Sequence, residues 1–293
     1  MQFIIENESL KVTVDSRGCE LVSILGKTDG TEYLWVGDPA FWNGHAPTMF
    51  PICGRLNEGK YTYEGKTYEM NLHGFARKTE FTIAEKTPSS IRMTLTDSEE
   101  SLAQYPFRFA FTIGYALEGN TVHTEYKVDN LGDSEMPYAL GGHPGFNVPL
   151  AGAGTFADYY LEFETECTPR KLVHAENCLL THETADFPLE DGKILRLHHD
   201  MFDNDAIFLE NTAKCVTLRS AATEKTVTVR FDAFRNIGFW HTTKSEAPFV
   251  CIEPWNSVPA YDGVTDDLAT KRDLTHLAPG KADTLSYSIT IGQ

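Results

Sequence analysis

Arg108–Val128 reads RFAFTIGYALEGNTVHTEYKV. Arg108–Leu117 is a long run rich in β-branched and aromatic residues, Glu118-Gly119-Asn120 supplies a turn, and Thr121–Val128 alternates again. Side chains of a strand point to opposite faces in turn, so this pattern predicts two antiparallel strands joined by a short connection. Outward from it the same signal recurs. Leu10–Val14, Ile91–Thr96, Thr226–Phe231 and Thr284–Ile291 alternate, while Ile237–His241 and Phe249–Ile252 are short apolar runs. Tyr61–Tyr63 and Lys66–Met70 flank Glu64-Gly65 as a hairpin. Helix signals are few: Ser98–Tyr105, stopped by Pro106, and Asp266–Asp273. Many short strands separated by turn signals indicate an all-β sandwich or barrel. With no internal repeat, low-complexity tract or linker, residues 1–293 are expected to form one domain.

Composition narrows the partners. A formal net charge of −17 repels phosphate backbones and acidic membrane surfaces, which argues against nucleic acid. The first residues, MQFIIENESL, lack the basic and apolar regions of a signal peptide, and no run of eighteen apolar residues exists. Six scattered cysteines without C-x-x-C spacing read as reduced, mostly buried thiols, so a cytoplasmic home is expected. A monomer or homodimer is expected.

Four segments break the alternation with polar residues set among Gly, Pro and aromatics: Phe50–Tyr61, Leu72–Lys78, Leu140–Pro149 and Cys251–Pro259. Such backbone belongs to turns, edges and bulges, where a rigid sheet holds its sites. His73 lies between Leu72 and Gly74, and His143 between Gly141-Gly142 and Pro144-Gly145. Each is either a titratable working group or a strut of its loop. Glu253 ends an apolar run and precedes Pro254 and Trp255. Burial there raises a carboxyl pKa toward the range of a general base; the alternative is a strand-end carboxylate paired with a loop amide or Arg. Arg55 either holds a ligand hydroxyl or carboxylate, or pairs with a buried acid. Trp255, Phe75 and Phe146 are candidates for apolar walls or for core.

Other chemistries fail on spacing. His198-His199 are adjacent, which suits a solvated turn better than a metal site. There is no H-E-x-x-H, C-x-x-C, G-x-S-x-G or P-loop, so these motif-borne chemistries are set aside.

The ordered set Gly54-Arg55, HGFAR at His73–Arg77, GGHPGFN at Gly141–Asn147 and EPW at Glu253–Trp255 resembles the aldose 1-epimerase (galactose mutarotase) family. The match is closest to the branch carrying HGFAR, which includes hexose-6-phosphate epimerases. The resemblance implies a large antiparallel β-sandwich with a few short helices and a cleft on one sheet. It implies interconversion of the α and β anomers of a free aldose without metal or cofactor. By motif, Glu253 matches the base that takes the anomeric proton, and His143 the acid that protonates the ring oxygen. His73 matches the histidine that hydrogen-bonds the sugar beside it, and Arg55 the substrate-binding arginine. Asp205 in DNDAIF is similar to the aspartate that binds sugar hydroxyls, with Asp203 on the same face if that segment is extended. Arg77 is either a phosphate anchor or the partner of a nearby acid. A carboxylate base and an imidazolium acid suit neutral pH.

GGHPGFN and HGFAR depart from the galactose-preferring branch, which has Asn before the second histidine, Ser-Tyr after it, and Gly-Gly at the first. The sugar therefore stays open. The alternatives to a mutarotase are a hexose-6-phosphate 1-epimerase and a non-catalytic carbohydrate-binding sandwich. A glycoside hydrolase ranks below these, since it wants two carboxylates flanking the bond.

Overall fold

The computed structural model describes residues 1–292. Among them, two large antiparallel sheets dominate, one of nine strands and one of eight. The nine-stranded sheet centres on the stretch quoted first: Phe109–Glu118 pairs with Thr121–Asn130, which pairs with the last strand, Ala282–Gly292. Smaller sheets, including an N-terminal three-stranded one, flank these two. The hairpin forms as Lys60–Tyr63 with Lys66–Glu69. Phe111, Ile113 and Tyr115 from the larger sheet and Val250 and Ile252 from the smaller are fully or almost fully buried in a continuous core cluster. The expected β-sandwich is what the chain forms.

Glu99–Gln104 is the expected helix, capped by Ser98, which accepts from the Ser101 N–H while the Ser101 hydroxyl accepts from the Ser98 N–H. The second expected helix does not form: Asp266–Asp273 is a series of turns. Its backbone is bonded elsewhere. The Thr62 N–H donates to the Asp266 carbonyl, and the Leu268 N–H to the Thr62 carbonyl. The Asp267 carboxylate accepts from the Ala269 N–H, a local bond that competes with helix. Lys271 and Asp266 form a buried ion pair, 3.0 Å apart.

The six cysteines are unpaired, and Cys19, Cys53, Cys215 and Cys251 are buried. No helix of the structure is long and apolar enough to cross a membrane.

His198 is exposed and paired with Asp200, as a turn residue should be. His199 is not solvated in that way: it stacks on Phe156 and meets the fully buried His241, their ring nitrogens 3.1 Å apart. The His241 Nδ1–H must donate to the Thr242 carbonyl, 2.8 Å away, so its Nε2 accepts from the His199 Nδ1–H. Burial holds the His241 pKa down to about 4. An unfolded histidine titrates near 6.5, so above that pH neither state is charged and no stability is lost. As pH falls from 6.5 to 4 the unfolded chain takes up a proton that the native one refuses, at a cost of roughly 3 kcal/mol. Urea unfolding at pH 7.5 and 4.5 should show this loss, and His241→Gln should reduce it, leaving the share of the other buried histidines, His73 and His143. An unchanged pH slope in the variant would show that His241 has no part in the acid lability.

Candidate active site

One strand, Phe249–Trp255, builds the centre of the site. Its alternation sends Val250 and Ile252 into the inter-sheet core and Phe249, Cys251, Glu253 and Trp255 to the opposite face. Gly141 pairs with Trp255 and Gly145 with Cys251 across the neighbouring strands. In both pairs the numbers sum to 396, and the same register sets His143 opposite Glu253. Pro144 and Pro254 donate no ladder bonds, which interrupts the strand pairing here without shifting it. The His143 Nε2 lies 3.5 Å from Glu253 Oε1. Glu253 Oε2 accepts from the Trp255 indole N–H at 3.1 Å, a bond between residues on the same strand face.

His73 reaches the same point from a loop. It adopts a left-handed backbone, φ 62°, as does Gly74 after it, φ 71°. The His73 N–H donates to the Gly54 carbonyl at 3.0 Å, and the Gly54 N–H donates back to His73 Nδ1 at 3.1 Å. A backbone N–H only donates, so Nδ1 is unprotonated and the ring proton sits on Nε2. His73 stands edge-on to both His143 and Trp255, with ring centroids 5.6 and 5.5 Å away. Its pKa is driven well below the usual value by burial, then by the neighbouring His143, Arg77 and Arg55.

These groups line one cleft. All seven residues singled out from the sequence (Arg55, His73, Arg77, His143, Asp205, Glu253 and Trp255) line it. Asp205, at φ 80°, follows a 3₁₀ turn over His199–Phe202 and precedes the strand Ile207–Glu210. That segment is a turn rather than extended, so Asp203 does not share its face and stays outside the cleft lining. Arg77 sits in a short 3₁₀ turn, and its Nε is buried without a hydrogen-bond partner among the described residues.

Of the three aromatics that were candidates for wall or core, two are core. Phe146 is fully buried, and Phe75 packs on Phe50 and Phe109. The apolar walls are Trp42 and Trp240, whose rings lie 5.1 and 5.6 Å from that of His143, together with Trp255 and Phe208. Trp240 had a readable signal, a large aromatic ending a buried strand. Trp42, just after a turn, and Cys178, at a bend, had none.

Electrostatics correct one expectation. Burial pushes His143 down to about 4, so the imidazolium expected near neutral pH is not favoured in the free site. Burial also raises Glu253 well above the usual carboxyl range, Trp255 opposing and Asp205 reinforcing it. The two directions agree physically: a dry site disfavours both charges. A neutral imidazole with a carboxylic acid and an imidazolium with a carboxylate hold the same single proton. The pair is therefore best described as sharing one proton. Glu253 Oε1 and His143 Nδ1 are buried without hydrogen-bond partners among the described residues.

His143, Cys251 and Glu253 also place one potential metal-ligand atom each within 4.8 Å of one another. Cys251 is a poor ligand here, because burial and the neighbouring Glu253 push its thiol well above its usual pKa and a metal needs the thiolate.

Residues 1–265 match the family model for aldose 1-epimerase. The chain is 37% identical to the plasmid-encoded protein LacX of Lactococcus lactis subsp. lactis over 299 aligned positions, covering 99% of each. Among solved structures it is similar to a galactose mutarotase related enzyme from Lactobacillus acidophilus, with 33% identity, a TM-score of 0.96 and coverage of 100% of this chain and 98% of that one. It is also similar to a galactose mutarotase-like protein from Lactobacillus casei, with 31% identity, a TM-score of 0.93 and coverage of 99% and 100%.

Proposed function

The chain belongs to the aldose 1-epimerase family, and from that premise we propose that it interconverts the α and β anomers of a free aldose by acid–base ring opening. The observation that carries the reading is the cross-strand pair of His143 Nε2 and Glu253 Oε1, 3.5 Å apart and buried in an aromatic-walled cleft.

A sugar O1–H donates to Glu253 Oε1, whose lone pairs have no other hydrogen-bond partner. That bond stabilises the carboxylate and draws the shared proton toward His143. Glu253 then takes the O1 proton, His143 gives its proton to the ring oxygen, and the C1–O5 bond breaks. The aldehyde is held beside a neutral imidazole and a protonated carboxyl, the charge state that burial favours. After rotation about C1–C2 the same transfers run backward on the other face of the carbonyl. His73 presents Nε2–H as a fixed donor, because the Gly54 N–H occupies Nδ1. Arg55 and Asp205 bind hydroxyls, and Trp255, with Trp42 and Trp240, covers the C–H faces of the ring. One domain spans the chain, and the unpaired thiols suit a reducing cytoplasm.

Polarimetry or NMR exchange on fresh α-glucose, α-galactose and other common aldoses tests this. At least one should equilibrate faster than in buffer, and failure with every free and phosphorylated aldose would sink the proposal. Arg77 supports a second reading, a hexose-6-phosphate 1-epimerase, because its Nε is buried and unpartnered at the cleft wall. Exchange rates of glucose and glucose 6-phosphate, measured side by side, separate the two.

A further inference from the structure

Behind the cleft wall lies a carboxylate that no step above uses. Glu20 begins the strand Glu20–Gly26 of the N-terminal three-stranded sheet, outside the two large sheets. It is half-buried, and its Oε1 accepts from two successive backbone N–H groups, those of His45 and Ala46, at 2.8 and 2.9 Å. The His45 carbonyl in turn accepts from the N–H of Gly145, on the His143 loop, at 2.8 Å. The other end of the segment is held separately: the Trp42 carbonyl accepts from the Trp35 indole N–H, and the Phe41 carbonyl from the Thr242 hydroxyl. Between these anchors the indole of Trp42 lies against two glycines. A Cβ on Gly44 would stand 2.6 Å from it, and one on Gly145 3.1 Å. The same ring meets the imidazole of His143, tilted by 33° with centroids 5.1 Å apart.

From this we propose that Glu20 is a positioning residue for the reaction: it fixes residues 42–47 so that Trp42 keeps its ring on His143 and steadies that imidazole in its protonated form. The inference rests on the aldose 1-epimerase reading and adds a residue that none of the four motifs contains. An aromatic face is electronegative and attracts a cation seated over it. His143 carries its proton to the ring oxygen as an imidazolium, and burial opposes that charge. The Trp42 face offsets part of this opposition. Residues 42–47 form no strand or helix, so no ladder holds the indole in place and its position depends on the anchors.

A carboxylate suits this place because two adjacent N–H groups converge on one oxygen, and charge strengthens such bonds. Alanine would leave both donors without their acceptor, whereas glutamine keeps an acceptor oxygen of the same reach. Glu20 has a second neighbour. Burial lowers the Arg77 pKa and the Glu20 charge opposes that. Arg77 lines the cleft and Glu20 does not, so an effect carried by the Arg77 charge is the competing account. The two accounts separate at glutamine, which retains the hydrogen bonds and removes the charge.

The test is NMR exchange of anomers on the fastest substrate among glucose, galactose and glucose 6-phosphate, with Glu20→Ala, Glu20→Gln, Trp42→Leu and the double variant of Glu20→Ala with Trp42→Leu. Glu20→Ala should lower kcat about tenfold per folded molecule, with KM within about threefold. Glu20→Gln should return kcat to within about threefold of the wild type. Glu20→Ala should cost little more once Trp42 is already replaced, because the two act on one contact. The proposal is overturned if Glu20→Ala raises KM and leaves kcat alone, since Trp42 would then be a wall and nothing more. It is equally overturned if Glu20→Gln is as slow as Glu20→Ala, which assigns Glu20 to Arg77, or if the losses at Glu20 and Trp42 multiply. Should Glu20→Ala fail to fold, Glu20→Asp takes its place. It keeps the charge but is one methylene short of both N–H groups, so the same loss of kcat is expected, and a wild-type kcat overturns the proposal. A wild type that exchanges no aldose would defeat the underlying enzymatic reading instead, and this one with it.

Discussion

Glu253→Gln should lower kcat for anomer exchange by roughly 10²–10⁴-fold while leaving KM within about threefold. The amide keeps the shape and can still accept from the Trp255 indole N–H that Glu253 Oε2 now binds. What it loses is the ability to take a proton. Folding should not suffer, because the substitution removes a titratable group that burial already drives toward its uncharged form. The thermal midpoint should therefore stay within a few degrees or rise. A variant that keeps more than half of the wild-type kcat would remove Glu253 from the proton path. So would a loss of rate that merely tracks a loss of folded protein. A binding sandwich without catalysis predicts a third outcome, with no turnover in either protein and equal sugar affinity.

The largest loss of stability is expected at Gly74. Its φ of 71° lies in the left-handed region, and a Cβ there would collide with the backbone carbonyl of Phe50. That carbonyl accepts from the Phe75 and Ala76 N–H groups, and the Phe50 N–H donates to the His73 carbonyl, so the two segments have no room to separate. Gly74→Ala should destabilise the protein by roughly 2–4 kcal/mol in urea unfolding. Gly65→Ala is the internal control. Its φ is nearly the same, 72°, but nothing lies within 4 Å of the added methyl. It should lose only about 1 kcal/mol, the cost of the backbone conformation itself. Equal losses at the two positions would show that the Phe50 contact is not restrictive. Because the Gly74 loop carries His73, the folded fraction of Gly74→Ala should also exchange sugars more slowly.

Much of this molecule can be read from its residues. Alternation in Arg108–Val128 announces the two central strands, and Ser98 before a short polar-apolar run announces the one α-helix among the described residues. Asp266–Asp273 misled because its helical pattern is local, whereas its backbone is held by Thr62, some two hundred positions away. His143 and Glu253 sit where Gly or Pro interrupts a strand and His73 beside the left-handed Gly74, a signal visible in one dimension. Phe75 and Phe146 share that signal but turn inward, since loop composition does not say which way a side chain faces. The charge state of His143 was unreadable for a related reason. Its proton affinity depends on how completely neighbouring strands and aromatic rings exclude water, and composition carries no measure of that.

The cleft has two kinds of wall. Strand register sets His143 against Glu253, and a one-residue slip would turn the core face of Phe249–Trp255 outward. Turns set Cys178 and Asp205, at φ 63° and 80°. A lineage built on this scaffold is thus free to change half of its site. Replacements in the turns retune which sugar is held while the sandwich stays intact, but replacements in the register strand threaten the fold itself. Relatives should accordingly diverge first in what they recognise and last in the chemistry they perform, with the turns around residues 175–178 and 203–205 as the places where a new preference begins.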